Sequence, residues 1–405
     1  MKHFYSILIY CCFFLVLWGG IPVLSVPLLL YFAYSNRFNI SSIGKHFLLL
    51  LVALSFGLVA YTVSSVGIVP SDVVRYRDMF EDSVGSSFGN ISPINYFFNI
   101  INWILANYVS NNSQFLSLFW STLTMLFVLL SSAKLIAYLF ENKGDLYFIL
   151  IIICLVIVPF ITTTEMIKQT AAFSIFMYAL SKKITNDKHS SYYFLLSFLI
   201  HPVSILLVFI VYYYNKKYLK KYIYLILSVS LIFSFINILD ILSYFDKFYI
   251  FKFIDLADKL EAYKDWTQWG GSKRYYIIFG MMVLQVMVYL WQYYRLDDFK
   301  NDLSILGLLI VSVLLFNMSN QHDFARLIFI LFPFQIIVTL LDIKAFNYVW
   351  DRKAIVLFLF SFYLFNTIIY TYNQLHSDES RQAYMDNNLI RLLTSNVFQF
   401  FQYHV

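Results

Sequence analysis

Long apolar runs with almost no charge are the feature that most constrains how this chain folds. They recur along the sequence in segments of about 15–25 residues, long enough for a helix to cross a hydrocarbon core roughly 30 Å thick. Only 13% of the 405 residues are charged and 60% are hydrophobic, whereas a soluble globular chain carries roughly 25% charged residues. Lipid must therefore be the solvent for most of the chain, and we predict an all-α polytopic membrane protein.

The apolar runs predict about 11 transmembrane helices in a single integral membrane domain over residues 1–405. The first two runs are short and are separated by Gly19 and Gly20, so they are either one bent helix or a tight hairpin. Hydrophilic sequence is confined to the loops 70–93 and 240–274 and to the C-terminal tail 373–405. The apolar runs are 4–18, 20–34, 46–68, 114–140, 145–161, 165–182, 222–239, 275–294, 303–318, 324–342 and 354–372.

Basic residues in the short loops predict the orientation of the spans, because excess positive charge there marks the cytoplasmic side. The net charge of +6 therefore reflects orientation in the membrane. No basic, aromatic-interleaved soluble domain is present to bind nucleic acid. The basic clusters are Arg37/Lys45, Lys134/Lys143, Lys182/Lys183/Lys188, Lys216/Lys217/Lys220/Lys221, Arg295/Lys300 and Lys344/Arg352/Lys353.

The apolar stretch 191–214 departs from simple alternation because lysine clusters flank both of its ends. His201-Pro202 lies near its middle, and proline breaks a helix by removing a backbone donor and clashing one turn back. We therefore predict a re-entrant pair of half-helices whose tip, at His201, reaches towards the outer face. Segment 93–109, with asparagines at helical spacing, is predicted to lie in the outer interface. The segments predicted to be extracytoplasmic are 70–93, 162–168, 240–274 and 319–324.

Charged groups near membrane depth cost about 2.5–3.5 kcal/mol each on insertion scales, so each needs a reason. Four polar groups of residues lie on the outer face under this topology. The first contains Asp72, Arg75 and Arg77, and a helix would place Asp72 and Arg75 on one face. It is either an anion-binding or catalytic edge, or an N-cap with solvated ion pairs.

The second group contains Lys168 and Gln169, at the outer end of a predicted span. Lys168 either binds phosphate as a point charge or neutralises the neighbouring Glu165. The third group is His201-Pro202. Its imidazole either takes part in proton transfer or is hydrogen-bonded to a neighbour within an apolar helix.

The fourth group contains His322, Asp323 and Arg326 and opens a late span. Arginine is rare inside an apolar helix and suits bidentate recognition of phosphate, so Arg326 is a candidate phosphate ligand. Arg274, which closes the loop 240–274, is a further candidate, or an interfacial anchor. The outer side has no acidic metal-binding motif and the cysteines lack C-x-x-C spacing, so we expect no metal and no cofactor.

Several cations, one or two candidate bases and an outer-facing cavity indicate an anionic, lipid-linked substrate, and a sugar on undecaprenyl pyrophosphate fits. Its leaving group is already ionised, so it needs arginine or lysine to stabilise the developing charge. A carboxylate or imidazole, here Asp72 or His201, would deprotonate the attacking sugar hydroxyl.

These residues also carry a resemblance to a known family. Their order and spacing from residue 60 to 340 resemble the EpsG-like branch of the Wzy group of O-antigen and capsule polymerases. In one departure, Lys168 stands where such proteins usually have arginine, which keeps the charge but loses the bidentate fork. The motifs are Ser71-Asp72, Tyr76 and Phe80, then Ser92-Pro93-Ile-Asn-Tyr96, Glu165-Met-Ile-Lys168-Gln169-Thr-Ala-Ala172, Phe198-Leu-Ile-His201-Pro202-Val-Ser204 and Arg326.

The resemblance implies a GT-C-like architecture and a multi-pass enzyme of the bacterial inner membrane with a periplasmic active face. Such an enzyme joins undecaprenyl-pyrophosphate-linked oligosaccharide repeat units and releases undecaprenyl pyrophosphate, with a chain-length regulator and a flippase as partners. Arg326, Arg75 and Lys168 would bind the pyrophosphate or glycan, and Asp72 or His201 would act as base. The alternatives are a lipid-linked oligosaccharide flippase, expected to have two pseudo-symmetric halves, an O-antigen ligase, and a non-enzymatic channel.

Overall fold

The computed structural model describes residues 12–34, 40–62, 72–88, 96–140, 166–202, 204–213, 217–233, 298–316 and 389–402, with a few isolated residues elsewhere. Every regular element in these ranges is a helix, which agrees with the all-α prediction. The helices are α1 (12–20), α2 (Pro22–Tyr34), α3 (Ser42–Tyr61), α4 (Asp72–Ser83), α5 (Tyr96–Tyr108), α6 (Gln114–Phe140), α7 (Ile167–Ile184), α8 (Ser190–Ile200), α9 (Ser204–Tyr213), α10 (Lys217–Phe233), α11 (Asp298–Phe316), α12 (Leu389–Thr394) and α13 (Val397–Phe401).

The N-terminal apolar sequence forms a tight helical hairpin, and the alternative of one bent helix is wrong. The rings of Phe14 in α1 and Phe32 in α2 lie 4.9 Å apart between centroids, whereas one continuous helix would separate these two residues by about 27 Å. The amide of Ile21 donates to the carbonyl of Leu17 at 3.1 Å, and the amide of Ser25 donates to the carbonyl of Ile21 at 2.9 Å. The first bond closes the last turn of α1, and the second opens the first turn of α2. Since Pro22 has no amide hydrogen, it cannot continue α1 and instead suits the first position of α2. The two predicted segments are therefore separate helices, 12–20 and Pro22–Tyr34, joined by a sharp turn at Ile21.

Two of the described helices, α3 and α6, are long and apolar enough to cross a membrane. They pack closely because Gly57 of α3 has no side chain to separate them. A Cβ atom at Gly57 would collide with the hydroxyl of Thr122 and lie 2.7 Å from the carbonyl oxygen of Leu118. Small residues allow such close approach of membrane helices. α2 also packs on α3, and α6 in turn contacts α7, which packs on α8.

Helices α4 and α5 pack side by side and run in the same direction: Tyr76 contacts Phe98 near their starts, and polar contacts join their C-terminal ends. Gly85 adopts a positive φ of 71°, which glycine tolerates without a steric penalty. The side chain of Asn107 donates to the carbonyl of Ser83 at 2.9 Å and accepts from the amide of Gly85 at 2.8 Å. α5 has 13 residues and rises about 20 Å, so it is too short to span a membrane, and its location in the outer interface stays a prediction.

The predicted helix break at His201-Pro202 is confirmed. α8 ends at Ile200, and His201 follows in an extended conformation with φ −142° and ψ 111°. The carbonyl of His201 accepts hydrogen bonds from the amide and the hydroxyl of Ser204, where α9 begins, both at 3.0 Å. With 11 and 10 residues, α8 and α9 are each too short to span alone. The re-entrant path with its tip at the outer face stays a prediction.

The C-terminal segment returns to the end of α3. α13 begins with a capping box formed by Asn396 and Gln399, and Phe400 is completely buried. Phe400 lies in one apolar cluster with Leu58 and Tyr61, and the ring of Phe401 contacts Tyr61 edge-on at 5.3 Å between centroids. α13 therefore lies at the C-terminal end of α3.

The chain divides into two compact units, Met1–Ser204 with Asp342–Val405, and Ile205–Leu341. In the described part of the second unit, α10 packs on α11. The candidate site lies in the first unit. The single membrane domain expected over residues 1–405 stays a prediction.

Candidate functional site

Helix α4 places its two arginines on different faces. Val73, Tyr76 and Phe80 recur at helical spacing and are buried, which fixes the face that packs against the protein. Arg75 is exposed, whereas Arg77 is only 4% exposed. Because residues two apart on a helix do not face each other, the guanidinium groups of Arg75 and Arg77 lie in different environments.

Two of the predicted substrate-binding cations meet on the ring of Tyr76. The guanidinium carbon of Arg75 lies 5.1 Å from the ring centroid, and Nη2 of Arg75 donates to the Tyr76 hydroxyl at 3.3 Å. Nζ of Lys168 lies 5.6 Å from the same centroid. Both distances fall within the range of a cation–π interaction. One aromatic ring therefore gathers a cation from α4 and a cation from α7.

An aromatic ladder of Tyr76, Phe98 and Trp120 holds this ring in place. Phe98 contacts Tyr76 edge-on at 5.2 Å and stacks on Trp120 at 4.9 Å between centroids. The indole Nε1 of Trp120 donates to Oδ1 of the buried Asn102 at 2.8 Å, which satisfies the polar atoms at the base of the ladder. The ladder therefore ties α4, α5 and α6 together beneath the two cations.

Lys168 lies in the first turn of α7, which adds to the positive field. The first backbone amides of a helix point outwards and carry partial positive charge, so this end attracts anions. Met166 precedes the helix and supplies no side-chain cap. Ile167 and Ala171 pack in the same apolar cluster as Tyr76, and this contact holds the start of α7 beside α4.

His201 lies at the same end of α7 as Lys168. The hydroxyl of Ser197 donates to the carbonyl of Ala172 at 2.8 Å, which fixes the end of α8 on the first turns of α7. The imidazole of His201 is partly exposed and lies 6.3 Å from the ring of Phe173. Because Phe173 is about 7.5 Å along the helix axis from Lys168, His201 lies near the same end of α7 as the cation pair.

The other predicted site residues have different environments. Arg77 donates from Nη2 to the hydroxyl of Ser117 at 2.9 Å, inside the contact between α4 and α6. Gln169 is buried, with 8% of its surface exposed. Asp72 is the first residue of α4, and its side chain lies outside the described part of the structure. Arg274, His322 and Arg326 lie outside the described residues, so their roles stay predictions.

Tyr76 and Asn102 are the residues that sequence reasoning left without a role in the site. The position of Tyr76 beside Arg75, on the apolar face with Val73 and Phe80, is a signal that sequence alone contains. The pairing of Asn102 with Trp120 has no such signal. Among the described residues, no three His, Cys, Asp or Glu side chains come close enough together to hold a metal ion.

A second charged cluster, here named the lysine clamp, lies at the opposite end of α7. Oδ2 of Asp187 accepts from Nζ of Lys182 at 2.7 Å and from Nζ of Lys134 at 3.1 Å. The amide of His189 donates to Oδ1 of Asp187 at 3.0 Å. The Lys182 hydrogen bond, followed by those from His189 and Lys134, lowers the pKa of Asp187 below its ordinary value. The clamp joins α6, α7 and the loop before α8.

Residues 45–386 match the EpsG family. The chain belongs to the EpsG family. The matched region begins in α3 and contains Arg75, Tyr76, Lys168 and His201, so the family covers the whole candidate site. No curated protein and no solved structure matches the chain. Together with the apolar helices, membership of this family makes the chain a membrane protein of the polysaccharide polymerase type, with glycosyltransferase-like chemistry.

Proposed function

We propose that this EpsG-family protein joins oligosaccharide repeat units carried on undecaprenyl pyrophosphate, at the periplasmic face of the bacterial inner membrane, and releases undecaprenyl pyrophosphate. The observation that supports this function best is the convergence of Arg75 and Lys168 on Tyr76. Two cations held at one ring could each bind one of the two phosphoryl groups of a pyrophosphate. We also propose the GT-C-like architecture of about 11 spans as its framework.

The chemistry requires stabilisation of a leaving anion. When the bond between the anomeric carbon and the pyrophosphate oxygen breaks, its electron pair stays on that oxygen. The guanidinium of Arg75 offers parallel N–H donors to one phosphoryl group, and the ammonium of Lys168 offers a point charge to the other. The positive end of α7 adds to the same field, so the developing charge is stabilised without proton transfer to the leaving group.

A base completes the reaction. A hydroxyl of the incoming repeat unit forms the new bond to the anomeric carbon, and its proton passes to the base. His201 is the first candidate because it is partly exposed and adjoins the start of α7 through Phe173. Asp72, three residues before Arg75 on α4, is the second. Arg326, His322 and Arg274 stay proposed ligands of the pyrophosphate or glycan.

A site on the periplasmic face requires that its substrate be delivered across the membrane. Sugar nucleotides are cytoplasmic, so a repeat unit used at the periplasmic face must first cross the membrane on its lipid. We therefore propose a flippase as supplier and a chain-length regulator as a further partner.

Deletion of the gene, followed by electrophoresis of the surface polysaccharide, tests the proposal. A polymerase deletion should leave single repeat units where the wild type has a ladder. Complementation with Arg75→Gln should not restore the ladder, whereas Lys188→Gln, a change of an exposed lysine away from the site, should restore it fully. Complete loss of repeat units on the polysaccharide acceptor would instead indicate a ligase or a flippase and contradict the proposal.

A further inference from the structure

We propose that Tyr76 is a positioning residue, which presents Arg75 and Lys168 as one preformed binding pair for a diphosphate. This inference rests on the proposed function of the same site. In this proposal the aromatic ring of Tyr76, and not its hydroxyl, holds the two positive charges near each other before the ligand binds.

The geometry explains why such a residue is needed. Two neighbouring cations repel each other, and in the absence of ligand each side chain would turn away from the other. The face of an aromatic ring attracts cations through its quadrupole, and this attraction is stronger when the ring is shielded from water. Tyr76 is only 6% exposed, while its ring lies 5.1 Å from the Arg75 guanidinium and 5.6 Å from the Lys168 ammonium.

The aromatic ladder makes the presentation rigid. Phe98 fixes one side of the Tyr76 ring, and Trp120, anchored by Asn102, fixes Phe98. A ring held in this way keeps its orientation when the ligand leaves. Because less side-chain motion is then lost on binding, the pair binds a diphosphate more tightly than two independent cations would.

The hydroxyl of Tyr76 has a smaller part. Its hydrogen bond from Arg75 is 3.3 Å long, which is at the weak end of the range for such bonds. Phenylalanine at this position keeps the ring and its quadrupole, and loses only this bond. Leucine keeps an apolar side chain and loses the quadrupole altogether. The two substitutions therefore separate the contribution of the ring from that of the hydroxyl.

The test measures binding of inorganic pyrophosphate to the purified full-length protein by isothermal titration calorimetry. We expect Tyr76→Phe to stay within about threefold of the wild type, and Tyr76→Leu to weaken binding about tenfold. Fluorinated phenylalanines at position 76 keep the shape of the ring and progressively weaken its quadrupole. Affinity should therefore fall stepwise with the number of fluorine atoms at unchanged thermal stability, a result that a packing role does not produce.

Two further variants separate this inference from the proposed function. In the Arg75→Gln/Lys168→Gln background, replacement of Tyr76 by leucine should change binding no further, because Tyr76 acts through the two cations. Fluorination that leaves affinity unchanged, while Arg75→Gln abolishes binding, would overturn the role of Tyr76 and leave the function standing. Full pyrophosphate binding and a full ladder in the Arg75→Gln/Lys168→Gln variant would overturn the function itself.

Discussion

The contact between Arg77 and Ser117 allows a quantitative test of how α4 is held. Arg77 is 4% exposed and Ser117 is fully buried, and a hydrogen bond of 2.9 Å joins Nη2 to the serine oxygen. A hydrogen bond to a charged group contributes roughly 1.5–3 kcal/mol. Arg77→Met keeps most of the aliphatic volume and removes the charge, while Ser117→Ala removes the acceptor. The coupling energy between these two changes should therefore be about 1.5–3 kcal/mol.

A double-mutant cycle measures this coupling. The free energy of unfolding of the wild type, both single variants and the double variant is obtained by SDS titration of protein in mixed micelles, followed by circular dichroism. Strictly additive effects, with a coupling energy below about 0.5 kcal/mol, would show that the hydrogen bond from Arg77 to Ser117 does not anchor α4. The same variants address the sequence-based prediction that Arg77 binds substrate. Arg77→Met with wild-type stability and no polysaccharide ladder would favour direct contact with substrate over a role as anchor.

Three further predictions concern the scaffold. Gly57→Ala should lower the free energy of unfolding by about 1–3 kcal/mol, because its Cβ would meet Thr122 and the Leu118 carbonyl. Gly20→Ala is the control, because open space surrounds Gly20 and a Cβ there causes no clash. Equal losses of stability in both variants would contradict the packing of α3 on α6. Contacts in the folded state lower the pKa of Asp187, so its carboxylate stabilises the folded protein. The wild type should therefore be more stable than Asp187→Asn above about pH 5. This difference in stability should shrink as the pH falls below about 4, the ordinary range of the carboxyl group. Melting curves of both proteins from pH 3 to 8 test this, and a pH-independent difference would contradict it. Alkaline phosphatase fused after Val405 should be active, because Phe400 packs at the predicted outer end of α3; activity of only a cytoplasmic reporter at that position would contradict the orientation.

The sequence predicted the local features best. The break at His201-Pro202 followed from a proline in an apolar run. Gly19 and Gly20 permit either a bend or a hairpin, and only the contact between the rings of Phe14 and Phe32 decides for the hairpin. Local sequence does not distinguish two arrangements that differ in tertiary contacts.

The arrangement of the site was less predictable for physical reasons. Arg75 and Lys168 are distant in sequence, and packing of α4, α5, α6 and α7 around a shared core brings them to one ring. Arginine is normally exposed, and nothing in the sequence around Arg77 indicates that this side chain is buried. Tyr76 was overlooked as a participant because 20% of the chain is aromatic, and a buried tyrosine is then unremarkable.

We propose that Arg75 and Lys168 together bind the pyrophosphate of a lipid-linked donor during glycosidic bond formation. Purified protein in proteoliposomes, supplied with a repeat unit on undecaprenyl pyrophosphate, tests it by quantifying both products. We expect the wild type to lengthen the glycan and to release undecaprenyl pyrophosphate in step, and Arg75→Gln/Lys168→Gln to slow both at least about 100-fold at unchanged thermal stability. Equal rates in the two proteins, or movement of the lipid across the bilayer without bond formation, would contradict it.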